Sequence, residues 1–181
     1  TVPMDMRRDA AMAAAEIGLY IEQRCHGTRG LVGTVGQFNV PNGAANVVPG
    51  KALFSIDIRA EQDETRQAAV ADVLARIEQV GQRRNVTVHT RKTHEASSVP
   101  CAPWLQQQLA AAIEAGGSAP KHLPSGAGHD AMAMAAITDV AMLFVRCGNG
   151  GISHHPDEIM TTDDAAFAAQ AFSRFVENFK R

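Results

Sequence analysis

Apolar residues recur at three-to-four spacing from Asp5 to about Arg24, where the run DMRRDAAMAAAEIGLYIEQR sets Met12, Ala15 and Leu19 on one stripe. Together with its alanine content, that spacing predicts a helix ended by Gly27 and Gly30. Two β-like runs follow, LVGTVGQFNV from Leu31 and NVVPGKALFSIDIRA from Asn46, interrupted by Pro41-Asn42-Gly43 and Pro49-Gly50. Strand side chains alternate, so Phe54, Ile56 and Ile58 share one face, and Ser55, Asp57 and Arg59 the other. The next run, EQDETRQAAVADVLARIEQVGQRR, is acidic at its start and basic at its end, which suits a helix dipole. Its stripe is Val70, Val73, Leu74, Ile77 and Val80. NVTVHTRKT then alternates as a strand.

The order helix, strand, strand, helix, strand lacks only an initial strand to become a split βαβ plait, two helices over one face of an antiparallel sheet. This unit ends near Ser97 to Pro100. Beyond it, APWLQQQLAAAIEAGG predicts a helix and LPSGAGHDAMAMAAI a glycine turn leading into another. DVAMLFVRCG is a continuous apolar run that suits a strand buried on both faces. A closing amphipathic helix opens at Thr161 and carries Ala165, Phe167, Ala171, Phe172, Phe175 and Val176. These last elements read as part of an α/β layer.

Composition narrows the function classes. The 181 residues are 45% hydrophobic and 20% charged with a net charge of -2, a soluble globular balance without the clustered positive charge that nucleic acid or an anionic membrane requires. The pairs Arg7-Arg8 and Arg83-Arg84 read as solvated helix ends. Three widely spaced cysteines, Cys25, Cys101 and Cys147, argue against a disulfide framework and a thiolate zinc site, and a cytoplasmic location is expected. No run reaches transmembrane length. The opening TVPM, without a start methionine, predicts a processed or excised piece.

Candidate chemistry gathers at glycine-rich turns. In GNGGISHHPDE, His154 follows an apolar run, and a histidine at a strand end can bind a divalent metal, with Asp157 or Glu158 orienting its other ring nitrogen. The alternative is an exposed loop histidine, and one histidine does not hold a metal. In SGAGHDA, His129 stands at a predicted helix start and can help stabilise an oxyanion, or else Ser125 or Asp130 caps the helix and His129 is merely exposed. The absence of Gly-x-Ser-x-Gly makes Ser125 a poor nucleophile. Arg59 can grip a carboxylate with its planar fork or pair with Asp57, and Asn46 can simply stabilise a turn.

In this order, PNGAANVVPGKALFSIDIRA, LPSGAGHDAMAMA and GNGGISHHPDE resemble the C-terminal half of the hydantoinase/carbamoylase family, which includes N-carbamoyl-L-amino-acid hydrolases, allantoate amidohydrolases and β-ureidopropionases. TVPMDMRRDA also resembles the segment that follows the family's His-Ala-Gly motif. The resemblance implies an α+β chain: residues 1–98 as a split βαβ (ferredoxin-like) lid and dimerisation domain without its first strand, and 99–181 as the C-terminal part of an α/β metallo-amidohydrolase catalytic domain. It implies His154, not His155, as the final metal ligand, Asn46 and Arg59 as substrate-binding residues with Arg59 on the carboxylate, and His129 as the catalytic group that polarises the scissile carbonyl. The intact enzyme would hold two divalent metals (Zn, Mn, Co or Ni), act on a small carboxylate substrate and form a homodimer.

The family's general-base glutamate and its other metal ligands find no counterpart here, so the expectation is a fragment that binds no metal and hydrolyses nothing alone. Two other readings remain: a dimerising scaffold without catalysis, and a related metallopeptidase or aminoacylase.

Overall fold

The computed structural model describes residues 1–181, and the chain divides into two compact units, Thr1–Ser98 and Val99–Arg181. The first contains α1 (Ala10–His26), β1 (Leu31–Thr34), β2 (Phe38–Asn39), β3 (Leu53–Phe54), β4 (Asp57–Ala60) and α2 (Asp63–Arg84). A short 3-10 turn, Met4–Met6, precedes α1. Asp9 caps α1 by accepting the Met12 N–H at 3.0 Å, so the helix starts later than the alanine-rich run predicts. A further orphan donor, the Ala10 N–H, is taken by the Pro49 carbonyl at 3.0 Å.

The core of this unit is Ala13, Ile17, Ile21 and Cys25 of α1, Leu31, and Ala69, Val73, Ile77 and Val80 of α2, with Phe54, Ile56, Ile58 and Ala60 packed against it. The expected strand alternation is therefore present. The α1 stripe is a correction. Met12 and Leu19 are 51% and 67% exposed, and the buried face is the one carrying Ile17 and Ile21, because an alanine-rich helix offers apolar residues on more than one face and the partner selects among them. On α2 the buried line runs through Ala69, Val73, Ile77 and Val80, leaving Leu74 at its exposed edge. Arg83 and Arg84 are not simply solvated: both bond Glu16 of α1, Arg84 Nε at 2.7 Å. Arg24 Nε meets Asp72 at 2.6 Å, and the Arg76 guanidinium lies 4.4 Å from the Tyr20 ring centre. Asn85 ends α2 in the left-handed conformation (φ 52°).

β1 pairs antiparallel with β4, Val32 opposite Arg59 and Thr34 opposite Asp57, and β2 pairs with β3, Phe38 opposite Phe54. Between the two ladders Val35, Gly36 and Gln37 face only Ser55 and Ile56, so the first strand carries a bulge. Gln37 and Ser55 staple it: the Ser55 hydroxyl accepts the Gln37 N–H at 3.0 Å and the Ser55 N–H donates back to the Gln37 carbonyl at 3.1 Å. Gly33 lies against α1, where an added Cβ would stand 2.9 Å from Ile21 Cγ2 and collide with Cys25 Sγ.

The expected strand at 85–93 does not form. Val86 and Val88 are half-buried while their neighbours are exposed, so the alternation persists, but no ladder joins the segment to another strand. A strand is defined by its hydrogen-bonded neighbour, not by its pattern.

In the second unit, α3 (Pro103–Glu114) and α5 (Thr162–Glu177) bury Leu105, Leu109, Ala112 and Ala171. The Gln108 amide exchanges two hydrogen bonds with the Lys180 backbone (2.6 and 3.1 Å), and Trp104 packs on Phe179. α4 is only Asp130–Met134. The apolar run 139–148 is no strand and is not buried on two faces: Phe144 is 47% exposed, since no neighbouring strand covers it.

Candidate functional site

Arg59 sits on β4 with its side chain on the face opposite Ile58 and the core, because residues on a strand alternate. Its guanidinium grips Asp57, the next residue on the same face, through two bonds, Nε to Oδ1 at 2.8 Å and Nη2 to Oδ2 at 2.9 Å. The pairing foreseen as the plainer alternative is thus formed. The Arg59 hydrogen bonds hold the Asp57 carboxyl below its usual range, partial burial opposes them, and the charge of His94 adds to the lowering. Asp57 in turn raises the Arg59 guanidinium. Asn46 occupies the exposed turn closed by the Val47 N–H on the Ala44 carbonyl at 3.2 Å.

The other two candidates belong to the second unit. His129 is the N-cap residue of α4, and neither Ser125 nor Asp130 supplies a side-chain cap, which corrects that alternative. Instead Ser125 Oγ lies 2.9 Å from His129 Nε2 and donates weakly to the Ala127 carbonyl at 3.3 Å.

His154 lies in the loop between Gly148 and Ile159, whose ends are tied by the Gly148 N–H on the Ile159 carbonyl at 2.9 Å. Asn149, Gly150, Gly151 and His154 all have positive φ, and at His154 (φ 59°) a side chain bears that conformation at a cost of about 1–2 kcal/mol. The carboxylates expected to orient its ring are used otherwise. Glu158 accepts the His154 backbone N–H at 3.0 Å, and the Asp157 carboxylate lies on the His155 side, 3.5 Å from its Nδ1. His155 is engaged by its own turn, accepting the Asp157 N–H on Nδ1.

No three His, Cys, Asp or Glu side chains come together to hold a metal ion. The donors of this chain therefore do not make up a dinuclear metal centre; His154 is a single donor. A groove of about 690 Å³ in the second unit is lined by Trp104, Leu109, Phe172, Phe175 and Phe179 among others, and by none of the four candidates. Sequence reasoning passed over the Ser125–His129 pair, whose spacing of four was readable.

The chain belongs to Peptidase family M20/M25/M40, which it matches over residues 8–178. Within that class it is similar to allantoate deiminase of Arabidopsis thaliana, 36% identical over 98% of this chain and 39% of the relative. It is also similar to N-carbamoyl-L-amino acid amidohydrolase of Geobacillus stearothermophilus, 38% identical over 93% of this chain and 41% of the relative. Among solved structures it resembles an amidase of the hydantoinase/carbamoylase family from Burkholderia multivorans, with a TM-score of 0.90 and 26% identity over 96% of this chain and 42% of that one. AtUAH in complex with glyoxylate gives 0.87 and 27% over 97% and 42%. The chain spans about two fifths of the length of these relatives. No helix is long and apolar enough to cross a membrane.

Proposed function

We propose that this chain is part of a metal-dependent amidohydrolase that cleaves a linear amide or ureido C–N bond of an N-carbamoyl-amino acid or an allantoate-like substrate. The observation that carries the reading is the similarity, across nearly the whole chain, to relatives named for those two activities. Arg59 is the carboxylate anchor, presented on the exposed face of β4 with a planar fork that meets a carboxylate bidentately. Asn46 adds a neutral amide to substrate binding. His129 donates a hydrogen bond to the carbonyl oxygen as charge develops on it. His154 is one ligand of a pair of divalent ions that would activate water when bound.

The unit Thr1–Ser98 is assigned as the lid, a split βαβ domain through which the whole enzyme dimerises, and Val99–Arg181 as a part of the catalytic domain. Because the donors here do not make up a metal centre, the chain by itself is expected to be inactive.

The test compares this chain with a longer polypeptide that carries it, on N-carbamoyl-amino acids, allantoate and a peptide panel. Hydrolysis of the first two by the longer protein only is the expected result; activity of the short chain, or a preference for peptides, overturns the reading. In the longer protein, Arg59→Ala removes a charge-assisted pair valued at about 1.5–3 kcal/mol, so KM for carboxylate substrates should rise roughly 10- to 150-fold. Unchanged kinetics would remove Arg59 from the site.

A further inference from the structure

The Asp57 carboxylate occupies the guanidinium of Arg59 in the same two-bond arrangement that an incoming carboxylate would adopt, with Nε–Oδ1 at 2.8 Å and Nη2–Oδ2 at 2.9 Å. We infer that Asp57 is an internal competitor for the anchor, a carboxylate that any ligand must displace from Arg59. This inference rests on the assignment of Arg59 as carboxylate anchor.

Two observations support it. The two residues are next neighbours on one strand face, so the pair forms locally and re-forms at once when a ligand leaves. Both side chains are about half exposed, 54% for Arg59 and 52% for Asp57, which keeps the pair weak enough to open.

Opening the pair costs the same for every ligand, and ligands differ only in what they give Arg59 in return. A planar carboxylate replaces both Asp57 bonds one for one. Chloride returns no directed pair of bonds, and a neutral amide returns no charge, so each leaves Arg59 less well served than Asp57 did. The preference for carboxylates therefore belongs to the Arg59 fork, and Asp57 lowers the affinity of every ligand by a common factor.

The experiment is an NMR titration of the Arg59 Nε–H signal in the 181-residue chain, using N-carbamoylglycine, N-carbamoylglycinamide and chloride as probes. It compares wild type, Asp57→Asn and Glu61→Gln. Glu61 is two residues further along, and its substitution removes an equal charge without touching the fork. Exposed ion pairs are valued at about 0.2–1 kcal/mol, so Asp57→Asn should bind N-carbamoylglycine roughly 1.5- to 5-fold more tightly, with no loss of its preference over the amide and chloride. Glu61→Gln should match wild type. If wild type binds and Asp57→Asn gains nothing, or Glu61→Gln gains equally, Asp57 has no such role and Arg59 keeps its own. If the Arg59 signal responds to the carboxylate in no variant, the anchor assignment falls together with this one. Matching melting curves for Asp57→Asn and wild type exclude unfolding as the cause of a loss.

Discussion

Glu16 joins α1 to α2 through two arginines, since Arg83 and Arg84 both bond its carboxylate, beside the separate Arg24–Asp72 pair. Those two hydrogen bonds, Arg83 first, hold its carboxyl below the usual glutamate range against a smaller opposing effect of burial. A depressed folded value means that the stabilisation is fully present above the unfolded value of about 4.3 and is lost as pH falls through the folded value. The side chain is 25% exposed, so solvent and salt screen part of the effect. Glu16→Gln should then lower the melting temperature at pH 7 by roughly 1–4 °C, corresponding to about 1 kcal/mol or less. Scans of both proteins at pH 7 and pH 2 check this: the difference should close in acid, and one that persists there would show that the loss is packing, not charge.

At the scale of elements, helices were readable because their determinants lie within a few residues, as with the acidic start and basic end of α2 or the Thr161 cap, which accepts the Asp164 N–H at 3.0 Å. Which face of α1 is buried was not readable, because that is decided by α2. The contrast is measurable. Ile17→Ala should cost about 2–5 kcal/mol in denaturant unfolding and Leu19→Ala less than about 0.5, whereas the stripe read from the sequence requires the reverse order. Strands divide in the same way. The alternation at Phe54, Ile56 and Ile58 predicted which face packs, but the bulge at 35–37 and the unpaired state of 85–93 depend on partners far away in sequence. The candidate site was legible in its residue types and turns. Its actual contacts were less so: Asp57 with Arg59 follows from strand alternation, whereas the left-handed backbone at His154 and the engagement of Glu158 with its N–H follow from the closed loop around them.

For the whole molecule, the two units differ in how much core each possesses. The largest fully buried side chains, Ile17, Ile21 and Val80, all belong to Thr1–Ser98, and the second unit buries only Leu105, Leu109, Ala112 and Ala171. Local opening free energy follows buried apolar contact, so amide exchange should be slowest in α1 and α2, faster in α3 and α5, and fastest in 139–160, where neither a ladder nor a long helix protects the backbone. Hydrogen-exchange mass spectrometry resolved by peptide reads this order directly. Equal protection of 139–148 and α2 would mean that the apolar run is paired in solution.

The bond from the Ala10 N–H to the Pro49 carbonyl gives the Asn46 turn a fixed mooring at the start of α1. A spectroscopic label attached near Asn46 would therefore act as an antenna for a distant event, the fraying of the first turn of α1, and would register it before any probe in the core responded.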